Sequence, residues 1–377
     1  MKTALLVLIL SSTRPEAGKQ AFDQGRYTEA ESEFSAAIMQ AETEISDADI
    51  PLLLNNLANS QKAQGKFTQA ERNYLRALSL SQDPQRQSHS LLGLGSVSRS
   101  LGRYKEAEAR YSRALGASKS DPTADPVNVS LILDGLAEIY RLQGRIGESE
   151  RSFQQARELL RKAGLVESSE MAALDNNLGQ LYISTGQMSK AEPLLANAVA
   201  TWRRALGPNH PMYATGLNNL AAFYFRQKDN RRPEPLYREA LAIHERVLGP
   251  DHLYVAADLN NLGTLYSARH RRQEAADFFL RALAIREKHP GAGKEEQLIT
   301  LSNLAELYFS RKNYGLAERY YAQMVALLDP QMEIDSTLVP LSLENYARLL
   351  RRKEDFAEAE RLLIQATRIR VRHALRQ

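Results

Sequence analysis

Seven histidines, His89, His210, His244, His252, His270, His289 and His373, are the residues best suited to proton transfer or metal ligation near neutral pH. His210 and His252 occupy matching settings, Leu206-Gly207-Pro208-Asn209-His210-Pro211 and Leu248-Gly249-Pro250-Asp251-His252. That setting is helix punctuation: glycine stops a helix, proline enforces the stop, and Asn209 or Asp251 begins the next helix. A metal would need further ligands converging on one point, and none is suitably spaced. No His-Glu-x-x-His run, nucleophile elbow or phosphate-binding loop occurs. Cysteine is absent, which removes disulfides, thiolate zinc sites and a cysteine nucleophile together. The sequence therefore predicts no catalytic site, no metal and no cofactor.

The remaining candidates are side chains suited to holding a polypeptide. One series reads Asn55, Leu92, Asp134, Asn176, Asn218, Asn260, Ser302 and Glu344. A second, two helical turns further along, reads Lys62, Arg99, Arg141, Ile183, Phe225, Ser267, Phe309 and Arg351. A carboxamide both donates and accepts, so the asparagines could bond a neighbouring helix or the backbone of an extended guest. The second series opens with three basic residues and continues mostly apolar. It predicts a guest with acidic residues at one end and a bulky apolar residue nearer its middle, against the plainer reading of a solvated face with scattered charge.

Both series are in phase with a repeat, and the repeat must position them. Anchored on Leu57, the same spot returns at Leu94, Leu136, Leu178, Leu220, Leu262, Leu304 and Tyr346, with a constant step of 42 residues after the first. Four residues on stand Tyr140, Tyr182, Tyr224, Tyr266 and Tyr308, and eight on Gly65, Gly102, Gly144 and Gly186. Thirteen on, the side chain is mostly alanine. Seventeen on it is large (Tyr74, Tyr111, Phe153, Leu195, Tyr237, Phe279, Tyr321, Leu363), and twenty on it is small again. Apolar residues at three- and four-residue spacing make one stripe on each of two helices, with glycine ending the first. Glutamates such as Glu71, Glu108 and Glu234 sit in the first turn of the second helix, where its dipole favours negative charge. One such hairpin cannot bury its stripe alone, so neighbours must stack. Gly25 through Ala37 reproduce a turn and second helix, and Thr13-Arg14-Pro15-Glu16 reads as a capping box before the matching first helix. Pro233 and Pro235 break the alanine column, so that unit's second helix should start late.

The spacing Leu-x2-Leu-small-x2-Tyr, then Ala-x3-Tyr/Phe-x2-Ala, resembles the tetratricopeptide (TPR) consensus, whose unit is typically about 34 residues. Within that family, Leu217-Asn218-Asn219-Leu220-Ala221, Tyr237-Arg238-Glu239-Ala240-Leu241-Ala242-Ile243 and the Leu248–His252 stretch are similar to kinesin light chain repeats. The likeness covers about residues 50 to 370 and fades in the second, seventh and eighth repeats. It implies an all-α TPR superhelical solenoid of about nine antiparallel hairpins, spanning 13–377 behind a leader at 1–12. It also implies that the first helices line a concave groove whose asparagines bond a guest. No coiled coil precedes the repeats, so the likeness gives no support for motor transport and points to a bacterial relative.

Composition agrees with a folded protein: 43% hydrophobic and 25% charged residues, with a formal net charge of +4. That charge is too mild to argue for nucleic acid, and the basic groups at Arg231-Arg232, Arg269, Arg271 and Arg272 read as solubilising. Lys2 followed by the short apolar run Ala4 to Leu10 reads as a shortened export signal, favouring the periplasm over the cytoplasm, and is too short to span a bilayer. The expected function is a non-catalytic scaffold that holds a protein or peptide in its groove. The alternative is a self-assembling or regulatory module using its outer face or ends.

Overall fold

The computed structural model describes residues 14–44, 49–121, 123–289, 293–328 and 336–374. The expected leader and the capping role of Thr13 lie outside these residues. The described chain is nine antiparallel hairpins in succession, without a β-strand among them. They pair α1 (14–23) with α2 (Tyr27–Glu44), α3 (Ile50–Ala63) with α4 (Phe67–Leu80), α5 (Pro84–Ser100) with α6 (Tyr104–Lys119), and α7 (Pro126–Leu142) with α8 (Ile146–Lys162). Next come α9 (Ser169–Ser184) with α10 (Met188–Leu206), α11 (Pro211–Arg226) with α12 (Pro233–Leu248), and α13 (Leu253–Ala268) with α14 (Arg272–Glu287). Two more close the series: α15 (Lys294–Ser310) with α16 (Tyr314–Leu327), and α17 (Leu338–Arg351) with α18 (Phe356–Ala374).

The large ring seventeen residues after each anchor is the wedge of the stack. Tyr74, Tyr111 and Phe279 are buried, each facing a position where only glycine fits. A Cβ on Gly95 would stand 2.7 Å from Tyr111, one on Gly263 2.6 Å from Phe279, and one on Gly93 2.2 Å from Tyr74. First helices of successive hairpins pack on one another from α3 through α17, while second helices show no comparable packing on one another. The array therefore curves with its first helices on the inside, and the concave wall is theirs.

The turn inside each hairpin needs a left-handed residue eight positions after the anchor. Gly25, Gly65, Gly102, Gly144 and Gly186 supply it in the early units. Lys228, His270, Lys312 and Glu354 take the same conformation in the later ones, with φ of 58°, 62°, 59° and 64°. A side chain there pays roughly 1–2 kcal/mol of steric cost. In the sixth hairpin the second helix begins at Pro233, three residues later than in its neighbours, as its prolines demand. Proline at the first helical position forfeits only a hydrogen bond that position never makes.

Two sequence expectations need correction. Asn209 and Asp251 do not cap α11 and α13: the caps are His210 and His252, whose Nδ1 atoms each accept the N–H two residues on, from Met212 and Tyr254 at 3.1 Å. A neutral imidazole nitrogen does here what a serine or aspartate oxygen does elsewhere. The basic residues of the turns are likewise more than solubilising. Glu31, Glu71, Glu108, Glu192, Glu234 and Glu318 each pair with a base from the next unit's turn, namely Lys66, Arg103, Arg145, Arg232, Arg269 and Lys353. Arg145, Arg232 and Arg271 also lie over the rings of Tyr140, Tyr224 and Tyr266, at 4.1, 3.6 and 4.3 Å from the centroids. Helix-dipole compensation and unit-to-unit clamping thus share one glutamate column.

Candidate functional site

The concave wall carries a polar rail. Asn177 Nδ2 donates to Asp134 Oδ1 (2.8 Å), Asn219 to Asn176 (2.9 Å), Asn261 to Asn218 (3.1 Å) and Asn303 to Asn260 (3.1 Å). Each bond joins the first helix of one hairpin to that of the next. The rail starts with Ser90 Oγ donating to Asn55 Oδ1 (2.9 Å). It ends with Asn345 Nδ2 reaching Glu306 Oε2 (2.8 Å), because Ser302 is too short to serve. The candidate asparagines therefore stitch the stack through their oxygens. Asn55 and Asn176 are buried, and Asn176 donates its Nδ2 to Asn177 (3.1 Å). Asn218 and Asn260 are half-buried, and their Nδ2 groups make no hydrogen bond among the described residues.

The second series divides. Lys62, Arg99 and Arg141 stand at the early end with Asp134 and Glu138. Arg141 pairs with Glu138 at 3.2 Å, and Arg99 reaches the same carboxylate only at 3.9 Å. Lys62 has no carboxylate within ion-pair distance among the described residues. The surrounding protein, together with the Arg99 charge, pulls the Lys62 ammonium down to about 8. Burial pushes the Asp134 carboxyl up to about 6 against its bond from Asn177. Arg99 Nε is buried without a hydrogen-bond partner, although 38% of the side chain stays open. Further along, Ile183 is only 5% exposed and belongs to the core, not to the open wall. Phe225 and Phe309 are half-buried against the core, Phe309 edge-on to Tyr314 at 5.7 Å.

Sequence reasoning did not find the far side of this trough. Hairpin one meets hairpin six, and hairpin two meets hairpin seven, so the array comes round on itself after five units. His252 Nε2 lies 3.0 Å from the Ala63 carbonyl, a contact between residues 189 apart. His210 likewise hydrogen-bonds the backbone of Asp23. Pro211 sits against Gly25, where a Cβ would come within 2.6 Å of its ring, and Leu253 against Gly65. Tyr254, at the start of α13, faces inward close enough to Tyr27 and Arg99 to feel both electrostatically. The one available signal was the Leu-Gly-Pro-x-His loop, which occurs only at 206–210 and 248–252.

Stacked helical hairpins, small and aromatic columns in register, and a concave wall of first helices define an α-solenoid of repeats with an extended concave surface. The chain belongs to the tetratricopeptide repeat family, whose profile matches residues 49–120, 86–162, 170–232, 213–288 and 296–370. Among solved structures, a Rap protein complexed with competence and sporulation factor aligns over 97% of this chain and 99% of its own, at 13% identity and TM-score 0.66. BtubC (BKLC) from P. vanneervenii shares 22% identity over 71% of this chain and 90% of its own, with TM-score 0.38. A putative kinesin light chain of Podosopora anserina shares 24% over 52% and 92%, with TM-score 0.42. The Rap likeness, at 13% identity, speaks to the fold alone. Among curated proteins no sequence match was found. The family is generally non-catalytic and serves protein–protein interaction. Among the described residues no helix is long and apolar enough to cross a membrane, and no acidic, histidine or cysteine group could hold a metal.

Proposed function

We propose that the chain is a non-catalytic adaptor that holds an extended segment of a partner protein in its concave trough. The segment's acidic end lies on Lys62 and Arg99, and an apolar residue lies nearer Phe225 and Phe309. The observation that carries this reading is the Lys62–Arg99 pair: two adjacent cations on the trough wall, Arg99 held by Glu138 at 3.9 Å and by the nearby Asp134, and Lys62 without a carboxylate in ion-pair range among the described residues. Like charges in such a place repel and lose hydration, so an incoming carboxylate relieves a cost the empty trough carries. The Nδ2 groups of Asn218 and Asn260 supply donors for backbone carbonyls further along. The Rap protein, a solenoid of similar fold, is complexed with competence and sporulation factor, which supports occupancy of such a superhelix by a ligand.

The test is fluorescence anisotropy with labelled decapeptides, acidic at one end, in the middle, or nowhere. Peptides acidic at one end should bind best, with affinity falling as pH rises through about 8 and Lys62 loses its proton. Lys62→Glu with Arg99→Glu should weaken them at least tenfold at low salt. Equal affinity for neutral and acidic peptides, or indifference to the double substitution, would end the acidic-guest reading. Self-assembly would use the exposed Phe356, Ile364 and Val371 of the last helix, and a mass rising with concentration in light scattering would favour it.

A further inference from the structure

The Leu-Gly-Pro-x-His loops have so far been read as helix stops, which leaves unexplained why only two junctions carry them. Those two loops are also the ones that the first two hairpin turns touch. The turn of hairpin one, around Gly25, rests on Pro211 and Val247. The turn of hairpin two, at Ala63 and Gly65, rests on His252 and Leu253. The third and fourth turns, at Gly102 and Gly144, have different junctions five units on, and a Cβ at Gly102 would meet nothing within 4 Å. Loop identity and contact therefore coincide.

Each histidine is a connector with two ends. Its Nδ1 accepts the N–H that opens the following helix, which fixes the hydrogen on Nε2. That N–H then points outward as a donor, and the Ala63 carbonyl takes it at 3.0 Å from His252. His210 in turn hydrogen-bonds the Asp23 backbone of the first hairpin.

The contact is also thin. A cleft of about 430 Å³ remains between the two surfaces, lined by Arg26, Glu29 and Lys66 on one side and by Pro250, Asp251 and His289 on the other. The ion pairs around it close within their own sides: Arg26 with Glu29, Lys66 with Glu31, Lys288 with Asp251. Among the described residues none crosses. Hairpin-to-hairpin interfaces within the array are continuous apolar cores by comparison.

We infer that the two Leu-Gly-Pro-x-His loops are docking sites for the turns of the first two hairpins, and that this contact is a releasable clasp over the trough. Closed, it denies lateral access to the wall carrying Lys62 and Arg99 and leaves passage along the axis. Open, it exposes that wall sideways. The clasp itself is independent of any guest. Only its consequence for guest entry rests on the adaptor reading.

The experiment separates capping from clasping. Asparagine is a strong helix cap but too short to span to Ala63, so His210→Asn with His252→Asn keeps both helix starts and removes both bridges. Because the chain has no cysteine, Gln69→Cys and Asp277→Cys give one spin-label pair reporting hairpin two against hairpin seven. The parent protein should show one narrow distance in pulsed dipolar spectroscopy. Losing two hydrogen bonds of ordinary net strength should raise the open-to-closed ratio about tenfold to a hundredfold, seen as a second, longer distance. An unchanged single distance in the double variant overturns the clasp. If that variant loses helical circular dichroism, His252→Asn alone is read with the same labels, and an unchanged distance there overturns it too. Peptide association that fails to accelerate in a variant with a proven open population counts against the adaptor reading, and leaves the clasp standing.

Discussion

Removing His244 should damage the solenoid far more than neutralising its partner Asp258, and the reason is an inventory of protons. His244 is 2% exposed and its Nδ1 lies 2.6 Å from Asp258 Oδ2, while its Nε2 lies 3.1 Å from the Pro211 carbonyl. Both ring nitrogens face oxygens, so Nε2 donates to the Pro211 carbonyl while one proton bridges Nδ1 and the Asp258 carboxyl. Burial pushes Asp258 up and His244 holds it down. His244→Ala strands a buried carboxylate and a carbonyl, a change worth roughly 3–5 kcal/mol. Asp258→Asn asks less: a neutral ring can donate from Nε2 to Pro211 and accept at Nδ1 from the new amide, at about 1 kcal/mol. Repeat arrays unfold in parts, so a global transition blurs a loss confined to one hairpin pair. Native-state hydrogen exchange on the amides of α12 and α13 measures the local opening directly. The His244→Ala loss should shrink as the pH falls and the buried Asp258 carboxylate protonates in the variant. Equal losses in the two variants, or a His244→Ala loss indifferent to pH, would refute the reading of a buried pair that shares one proton.

His210 and His252 are both pulled from the ordinary 6.5 down to about 4, chiefly by burial, with His244 and His289 adding to the effect at His252. The folded state prefers the neutral rings, so their contribution is complete above pH 6.5. It drains as pH falls from 6.5 to 4 and is gone below that, at up to ~3 kcal/mol per ring. Melting curves of the parent minus those of the double asparagine variant should show this slope, and a flat difference would contradict it. Replacing Lys228 and Lys312 with glycine should stabilise by ~1 kcal/mol each by relieving the left-handed backbone, measured by thermal denaturation, and no gain would mean the strain is absorbed locally. Gly116 lies in α6 with nothing within 4 Å of a Cβ, so Gly116→Ala should stabilise by about 0.5–1 kcal/mol. Gly93→Ala should instead destabilise by roughly 1–3 kcal/mol against the Tyr74 ring, and a gain at Gly93 would show that the wedge can move.

Much of the fold was legible because the packing between neighbours is local and repeated. The columns at Leu178, Tyr182, Ala191 and Ala198 state in sequence what one hairpin asks of the next, and the Pro233 exception could be read the same way. The histidine caps were missed because cap preference favours asparagine and aspartate, and in Asn209-His210 the commoner cap stands one residue early. The groove was only half legible. Spacing placed Asn218 and Asn260 on the inner helices but could not reveal that Asn261 and Asn303 claim their oxygens. Spacing also put Ile183 beside Phe225, although local crowding sends one into the core and leaves the other half open. The closure of hairpin one on hairpin six joins residues with no common period, so only the doubled loop hinted at it.

That closure has an evolutionary consequence. An open solenoid can gain or lose whole repeats, because each asks only for an adjacent neighbour. Here a duplication or deletion anywhere between hairpins one and six would slide the Leu206–His210 loop past the turn it meets, and the defect would surface at a seam far from the genetic change. Copy number over the first circuit is thereby fixed by geometry, while the last two hairpins stay free to vary.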